Sequence, residues 1–279
     1  MNTLTIQGAA VRYWHYGNPL HPMAVFLHGF RGTHHGFEKI VHELEKNYYC
    51  IVPDLPGFGD SDPLDNIHSL ENYIDAVHDF IVAVKKHDKV FLVGHSFGSI
   101  VASHTAATYP DMVEKLVLIN PISAPALKGS KVIGTRLAQF YYWTAKQLPE
   151  RSAQKLLASK LIVDAMSHSM TISKDKNLRR YIFDQHRQHF STFASPKVVA
   201  EAFATSISNT TMDAAKKLTM PTLVLAAEKD QISSLHSQVA FANTIEHGRL
   251  HVIKNVGHLV HYEKATEAAA VIDEFLAAS

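Results

Sequence analysis

The sequence has a single cysteine, Cys50, so no intrachain disulfide can form and a reducing compartment suits the chain. Cys50 lies in the apolar run 48–52 and reads as buried strand filler rather than as a nucleophile. No apolar stretch approaches the roughly 20 residues that would span a bilayer. The opening Met-Asn-Thr-Leu-Thr-Ile has neither a basic nor an apolar signal region. A cytoplasmic protein that does not engage a membrane is therefore expected. There is no basic run, and the formal net charge is only +1, so nucleic acid is not an expected partner. Neither G-x-x-x-x-G-K-[ST] nor a helix-opening G-x-G-x-x-G occurs, which removes the usual nucleotide cradles. The 19 histidines are scattered, and no H-x-x-x-H pair sits beside a glutamate in zinc-site order. No metal or organic cofactor is expected, and nothing in the sequence speaks to oligomeric state.

What is present is enough apolar residue, 46% of 279, to bury a large core. Leu4 to Gln7 and Val11 to Tyr16 read as a hairpin about Gly8. Short apolar runs follow at Ala24–His28, Tyr48–Asp54, Val90–Gly94 and Leu116–Ile119. Between them lie helical patterns at Leu70–Lys86, with Leu70, Ile74, Val77, Ile81 and Val84 on one face, and at Gly98–Tyr109. Such alternation predicts an α/β fold with a mostly parallel central sheet flanked by helices. The rhythm stops after Pro121. Four helix-like segments follow, about 131–148, 152–161, 174–190 and 196–208, before strands resume at Thr222–Ala226 and Leu250–Ile253 and a last helix runs from about Glu263 to Leu276. The expected organisation is a core of residues 1–121 and 214–279 with a helical cap, 122–213, inserted in it.

Gly94-His95-Ser96-Phe97-Gly98 has the G-x-S-x-G pattern, set between a strand and a helix. That context makes it a nucleophile elbow, in which a strained turn presents a serine to a pocket. A serine hydroxyl needs a base, an acid to orient that base, and donors for a developing oxyanion. The elbow fold predicts the chain order serine, acid, histidine. Asp230 ends the run that begins at Thr222, at the carboxyl edge of the sheet; Glu228 competes but lies nearer the strand. His258 follows the Leu250–Ile253 strand beside Gly257. His251 lies within the strand, His261 a turn further on, and His95 beside the serine, so these read as structural. The backbone N–H groups of Phe30, after the Ala24–Leu27 strand, and of Phe97, after the nucleophile, are the candidate oxyanion donors. Asp54-Leu-Pro56-Gly57-Phe-Gly59-Asp60-Ser61 reads as a rigid turn.

Taken together, His28-Gly29-Phe30, Asp54-x-x-Gly57-x-Gly59-x-Ser61, the elbow, Glu228-Lys229-Asp230 and Gly257-His258 resemble the α/β-hydrolase superfamily, in its small bacterial, cap-bearing branch of esterases and carbon–carbon bond hydrolases. The pieces occur in family order and span most of the chain outside the cap. The resemblance implies a serine hydrolase acting on a small ester-like molecule through Ser96, His258 and Asp230. Serine at position 96 argues against haloalkane dehalogenases and epoxide hydrolases, which use aspartate. Where some members carry the acid after the sixth strand, Ile119-Asn120-Pro121 has no carboxylate, which favours Asp230. The resemblance implies that cap aromatics, Phe140 to Trp143, line the pocket, while the residues read equally as a helix's packing face; Phe140, Trp143, Arg31 and Leu259 are the candidate substrate contacts. Two other activities share the same core pattern: carbon–carbon bond hydrolysis or a menaquinone-pathway-type elimination, with Arg31 holding a substrate carboxylate, and a triad-bearing small-molecule receptor.

Overall fold

The computed structural model describes residues 1–125 and 132–278. An eight-stranded sheet runs in the order β1 (Asn2–Ile6), β2 (Ala9–Tyr16), β4 (Tyr49–Pro53), β3 (Met23–Leu27), β5 (Val90–His95), β6 (Val113–Ile119), β7 (Thr222–Ala227), β8 (Gly248–Ile253). The β1–β2 hairpin and the β2–β4 pairing are antiparallel, and the pairings from β4 through β8 are parallel. The fold is thus the expected one, a mostly parallel sheet flanked by helices.

Side chains alternate along a strand, so a run buried on both faces must feed two cores. Along β3, Met23, Val25 and Leu27 enter one core with Phe80 of α2 (Leu70–Val84) and Val101 of α3 (Phe97–Thr108). Ala24 and Phe26 enter the other, with Ile40 of α1 (Glu38–Leu44). Burial on both faces explains why the run is apolar without a break.

Among the described residues, five α-helices lie between β6 and β7: α4 (Val132–Gln147), α5 (Glu150–Leu157), α6 (Lys160–Met170), α7 (Lys176–His189) and α8 (Pro196–Ser208). Where one helix is expected over 152–161, the chain breaks after Leu157, and Ser159 is non-helical at φ −59°, ψ 116°. No proline or glycine marks that break, so tertiary contacts set it. Ser195 and Asp175 cap α8 and α7, each accepting from the first-turn amides. The chain closes with α9 (Leu235–Ala242), the four-residue α10 (Val260–Glu263) and α11 (Ala265–Ala277), whose Ile272 joins Phe26 and Ile40 in the second core. The short helices α1, α6 and α9 have no separate signal in the sequence reading.

The inserted helices are held against the loops that follow β3, β4 and β8. The Gly59 amide donates to Thr192 O and the Ala194 amide to Gly57 O, so the 54–61 turn is one docking strip. Glu263 accepts from the amides of Ile172 and Ser173. Active sites of parallel α/β sheets sit at this carboxyl edge. Among the described residues, no helix is long and apolar enough to cross a membrane.

Candidate active site

Ser96 sits between β5 and α3 at φ 54°, ψ −118°, a conformation that costs a non-glycine residue energy and persists only when its surroundings impose it. The surroundings are close backbones. A Cβ on Gly98 would strike the carbonyls of Leu27 and His28, and one on Gly94 would strike Gly98. The Ser96 amide donates to Ile119 O, anchoring the turn to β6.

Three loops bring the reactive groups together. Ser96 Oγ donates to His258 Nε2 at 2.8 Å. His258 Nδ1–H donates to both carboxylate oxygens of Asp230 at 3.0 Å. Asp230 also accepts from the amides of Ile232 and Ser233 and from Gln238 Nε2. Burial alone would raise its pKa; the facing His258 and the two amides outweigh that and hold the carboxyl below its usual range. Asp230 and His258 are buried while Ser96 is half-exposed, so only the serine is open to a ligand. Glu228, the rival carboxylate, accepts instead from the exposed Asn255 amide.

The His258 loop is clamped by Asn120 and Gln231, whose role is not legible in the sequence, and by His95, a structural residue as expected. Asn120 Nδ2 donates to His258 O at 2.8 Å, while its Oδ1 accepts from the Ala227 amide at 2.9 Å. His95 Nε2 donates to the same His258 carbonyl at 3.1 Å, and Gln231 Oε1 accepts from the His258 amide at 3.0 Å. Burial, with the neighbouring His258, pushes the His95 pKa down to about 3, so it stays a neutral strut. His28 is neutral for the same reason: burial lowers its pKa, its Nδ1–H donates to Gly29 O, and its Nε2 accepts from the Leu55 amide. This ring ties the loop after β3 to the loop after β4.

Phe97 heads α3, so its N–H has no acceptor within the helix. Gly29 lies against the elbow, where an added Cβ would stand 3.2 Å from the Ser96 Cβ. Phe30, the expected first donor, is the next residue along this loop.

The suggested substrate contacts need correction. Arg31 is fully buried, with Nε donating to Phe190 O at 3.0 Å and Nη2 to Leu157 O at 2.8 Å, so main chain takes two of its nitrogens while Nη1 is enclosed without a hydrogen-bond partner. Phe140 and Trp143 are 64% and 58% exposed and pack on each other, with ring centroids 5.9 Å apart. The helical period turns their neighbours inward instead: Tyr142 is buried against Phe30 and Phe203. Leu259 is buried with Ile182 and Tyr262, where α7 meets the loop after β8. One group of possible metal ligands occurs among the described residues, His34, His35 and Glu38. Their atoms are engaged, His34 Nδ1 with buried Asp54 and His35 Nδ1 with Glu38.

A strained serine at a strand–helix elbow, backed by a buried histidine and carboxylate from two later loops of one parallel sheet, defines the class of α/β-hydrolase-fold enzymes. The chain belongs to that family, whose model, described as alpha/beta hydrolase fold, matches residues 24–265. It is similar to the uncharacterized hydrolase YugF of Bacillus subtilis, at 25% identity over 98% of this chain and 96% of that protein. It is also similar to a monoacylglycerol lipase, ABHD6 of Rattus norvegicus, at 26% identity over 97% of this chain and 83% of the lipase. Among solved structures, a thermophilic esterase from Thermogutta terrifontis shares the fold with a TM-score of 0.83, at 22% identity over 99% of this chain and 98% of the other.

Proposed function

We propose that the chain is a serine hydrolase that cleaves a small carboxylic ester through an acyl-enzyme on Ser96. The observation that carries the reading is the unbroken hydrogen-bonded line from Ser96 Oγ through the His258 ring to Asp230, buried at its far end and open at the serine. The relatives that bear esterase and lipase names support the ester class.

In this reading His258 Nε2 takes the Ser96 proton as Oγ attacks the acyl carbon. The tautomer is already correct, because Asp230 holds the other ring proton on Nδ1. Asp230 then faces an imidazolium, which its carboxylate stabilises. The amides of Phe30 and Phe97 take the oxyanion, each worth about 3–4 kcal/mol of barrier by comparison with other oxyanion donors. Collapse of the tetrahedral adduct expels the alcohol, which leaves with the proton from His258. The ring next deprotonates a water that attacks the acyl-enzyme, and the acid and free Ser96 result. No metal or organic cofactor enters any step.

The test is steady-state hydrolysis of p-nitrophenyl acetate, butyrate and octanoate by the wild type and by Ser96→Ala. Turnover of a short ester that falls by at least about 10³-fold in the variant is the expected result, the scale on which triad members act. Equal rates in the two proteins would remove the serine from the chemistry.

A further inference from the structure

Arg31 carries a buried positive charge with no carboxylate partner: it takes part in none of the ion pairs among the described residues, and its side chain is fully enclosed. A buried guanidinium without counter-charge is costly, so something else must offset it. Its two acceptors share one property. Leu157 is the last residue of α5, and Phe190 is the residue that ends α7. The last carbonyls of a helix lack intrahelical donors and carry the negative end of the macrodipole. Two helix C-termini therefore converge on one cation. The rings of Phe190 and Phe193 lie against it, 4.6 and 5.3 Å from the guanidinium carbon, adding cation–π attraction. All of these partners belong to the segment inserted between β6 and β7.

Arg31 itself belongs to the core, one residue beyond Phe30. Its backbone is left-handed at φ 58°, strain that a non-glycine residue keeps only when other contacts enforce it. The Gly32 amide donates to Gly29 O at 2.9 Å and closes the turn around Phe30 and Arg31, and the side-chain bonds to Phe190 O and Leu157 O hold Arg31 within it. Phe30 is gripped from the same side, its ring 5.6 Å from Tyr142 of α4 and 5.7 Å from Phe203 of α8. Four inserted helices thus hold the two residues that follow Gly29, on the loop that passes the elbow at Gly29 and carries the expected Phe30 donor.

We propose that Arg31 is a positioning residue that couples the seating of the inserted helices to the oxyanion hole. With α5 and α7 docked, their C-terminal carbonyls neutralise the guanidinium and hold the Phe30 amide toward the Ser96 oxyanion. With them displaced, the charge has no partner, the left-handed turn relaxes, and one donor is lost. The inference rests on the serine-hydrolase reading above. It makes closure over the substrate and completion of the oxyanion hole one event.

The test compares full-length wild type, Arg31→Met, Arg31→Lys and Ser96→Ala. An irreversible p-nitrophenyl phosphonate counts reactive sites from its end-point, and kcat and KM for p-nitrophenyl butyrate are expressed per titrated site. An aryl trifluoromethyl ketone, which adds to the serine and places an oxyanion in the hole, gives a Ki. In Arg31→Met, kcat per site should fall about 10- to 100-fold, part of the 10²- to 10³-fold that loss of a whole donor costs, with KM within about threefold. The ketone Ki should weaken by the same factor as kcat/KM. Arg31→Lys, which keeps a cation at the helix ends, should recover most of the loss. A residue that merely stabilises the fold would lower the titratable fraction or the melting temperature and leave turnover per site and Ki unchanged, and that result overturns the proposal. If Arg31→Met does not fold, Arg31→Lys and Arg31→Gln decide by the same two ratios, equality with wild type again overturning it. Turnover surviving in Ser96→Ala would instead sink the serine-hydrolase reading. Its loss there, beside wild-type behaviour per site in the Arg31 variants, would sink the coupling alone.

Discussion

His186 of α7 is buried, and its Nδ1–H donates to Ser167 Oγ of α6 at 2.7 Å. Burial in this contact pushes its pKa from 6.5 down to about 4. The unfolded chain begins to bind a proton at this ring near pH 6.5, whereas the folded chain resists until near pH 4. Between those values the unfolded state holds more protons, so stability falls as pH falls. The contribution is fully present above about pH 6.5 and is lost progressively toward pH 4. Moving from pH 7 to pH 5 crosses about 1.5 units below the unfolded value, which at about 1.4 kcal/mol per unit is about 2 kcal/mol from one ring. His186→Asn removes the titration and retains an N–H near Nδ1. Urea unfolding of both proteins at pH 7 and pH 5 isolates the ring, because the other buried histidines titrate alike in both and cancel in the difference. The stability advantage of wild type over His186→Asn should shrink by about 2 kcal/mol between the two pH values. A difference that does not change with pH would refute the reasoning, since His186 would then not be held neutral by burial.

Two further outcomes follow from contacts described above. Asn120→Ala leaves the buried Ala227 amide without its acceptor and puts alanine at φ 46°, while the His258 carbonyl keeps His95 as a donor. The expected loss is about 3 kcal/mol in urea unfolding, from one orphaned donor and the left-handed backbone together, and a loss under about 0.5 kcal/mol would mean that the loop relaxes freely. Phe140→Ser combined with Trp143→Ser, both exposed on the outer face of α4, should leave p-nitrophenyl butyrate turnover within about twofold and stability within about 0.5 kcal/mol. A tenfold fall in kcat/KM would return those rings to the pocket.

Much of the fold is legible because its signals are local. The central strands carry unbroken apolar runs where both faces are covered, as the two cores fed by β3 demonstrate. The elbow announces itself within five residues, since only glycines fit where Gly94 and Gly98 meet other backbone. Ser96, Asp230 and His258 can be chosen in order because each stands just past the end of a strand, and parallel strands bring those ends to one edge. The helix α8 begins at a Ser-Pro pair whose capping chemistry is written in the sequence.

Other features depend on partners more than a hundred residues away, and no local pattern encodes them. Asn120 looks like a strand-end turn until β7 and the His258 loop close around it. Periodicity shows that α4 has two faces but not which one lies on the core, and so the inward ring is Tyr142 rather than Trp143. The break between α5 and α6 has no breaker residue, and Arg31, distant in sequence, takes the carbonyl that the break exposes. In isolation an arginine beside an oxyanion loop suggests a ligand for its charge. Only the tertiary structure, by driving two helix C-termini together over a buried guanidinium, decides that the ligand is the protein itself.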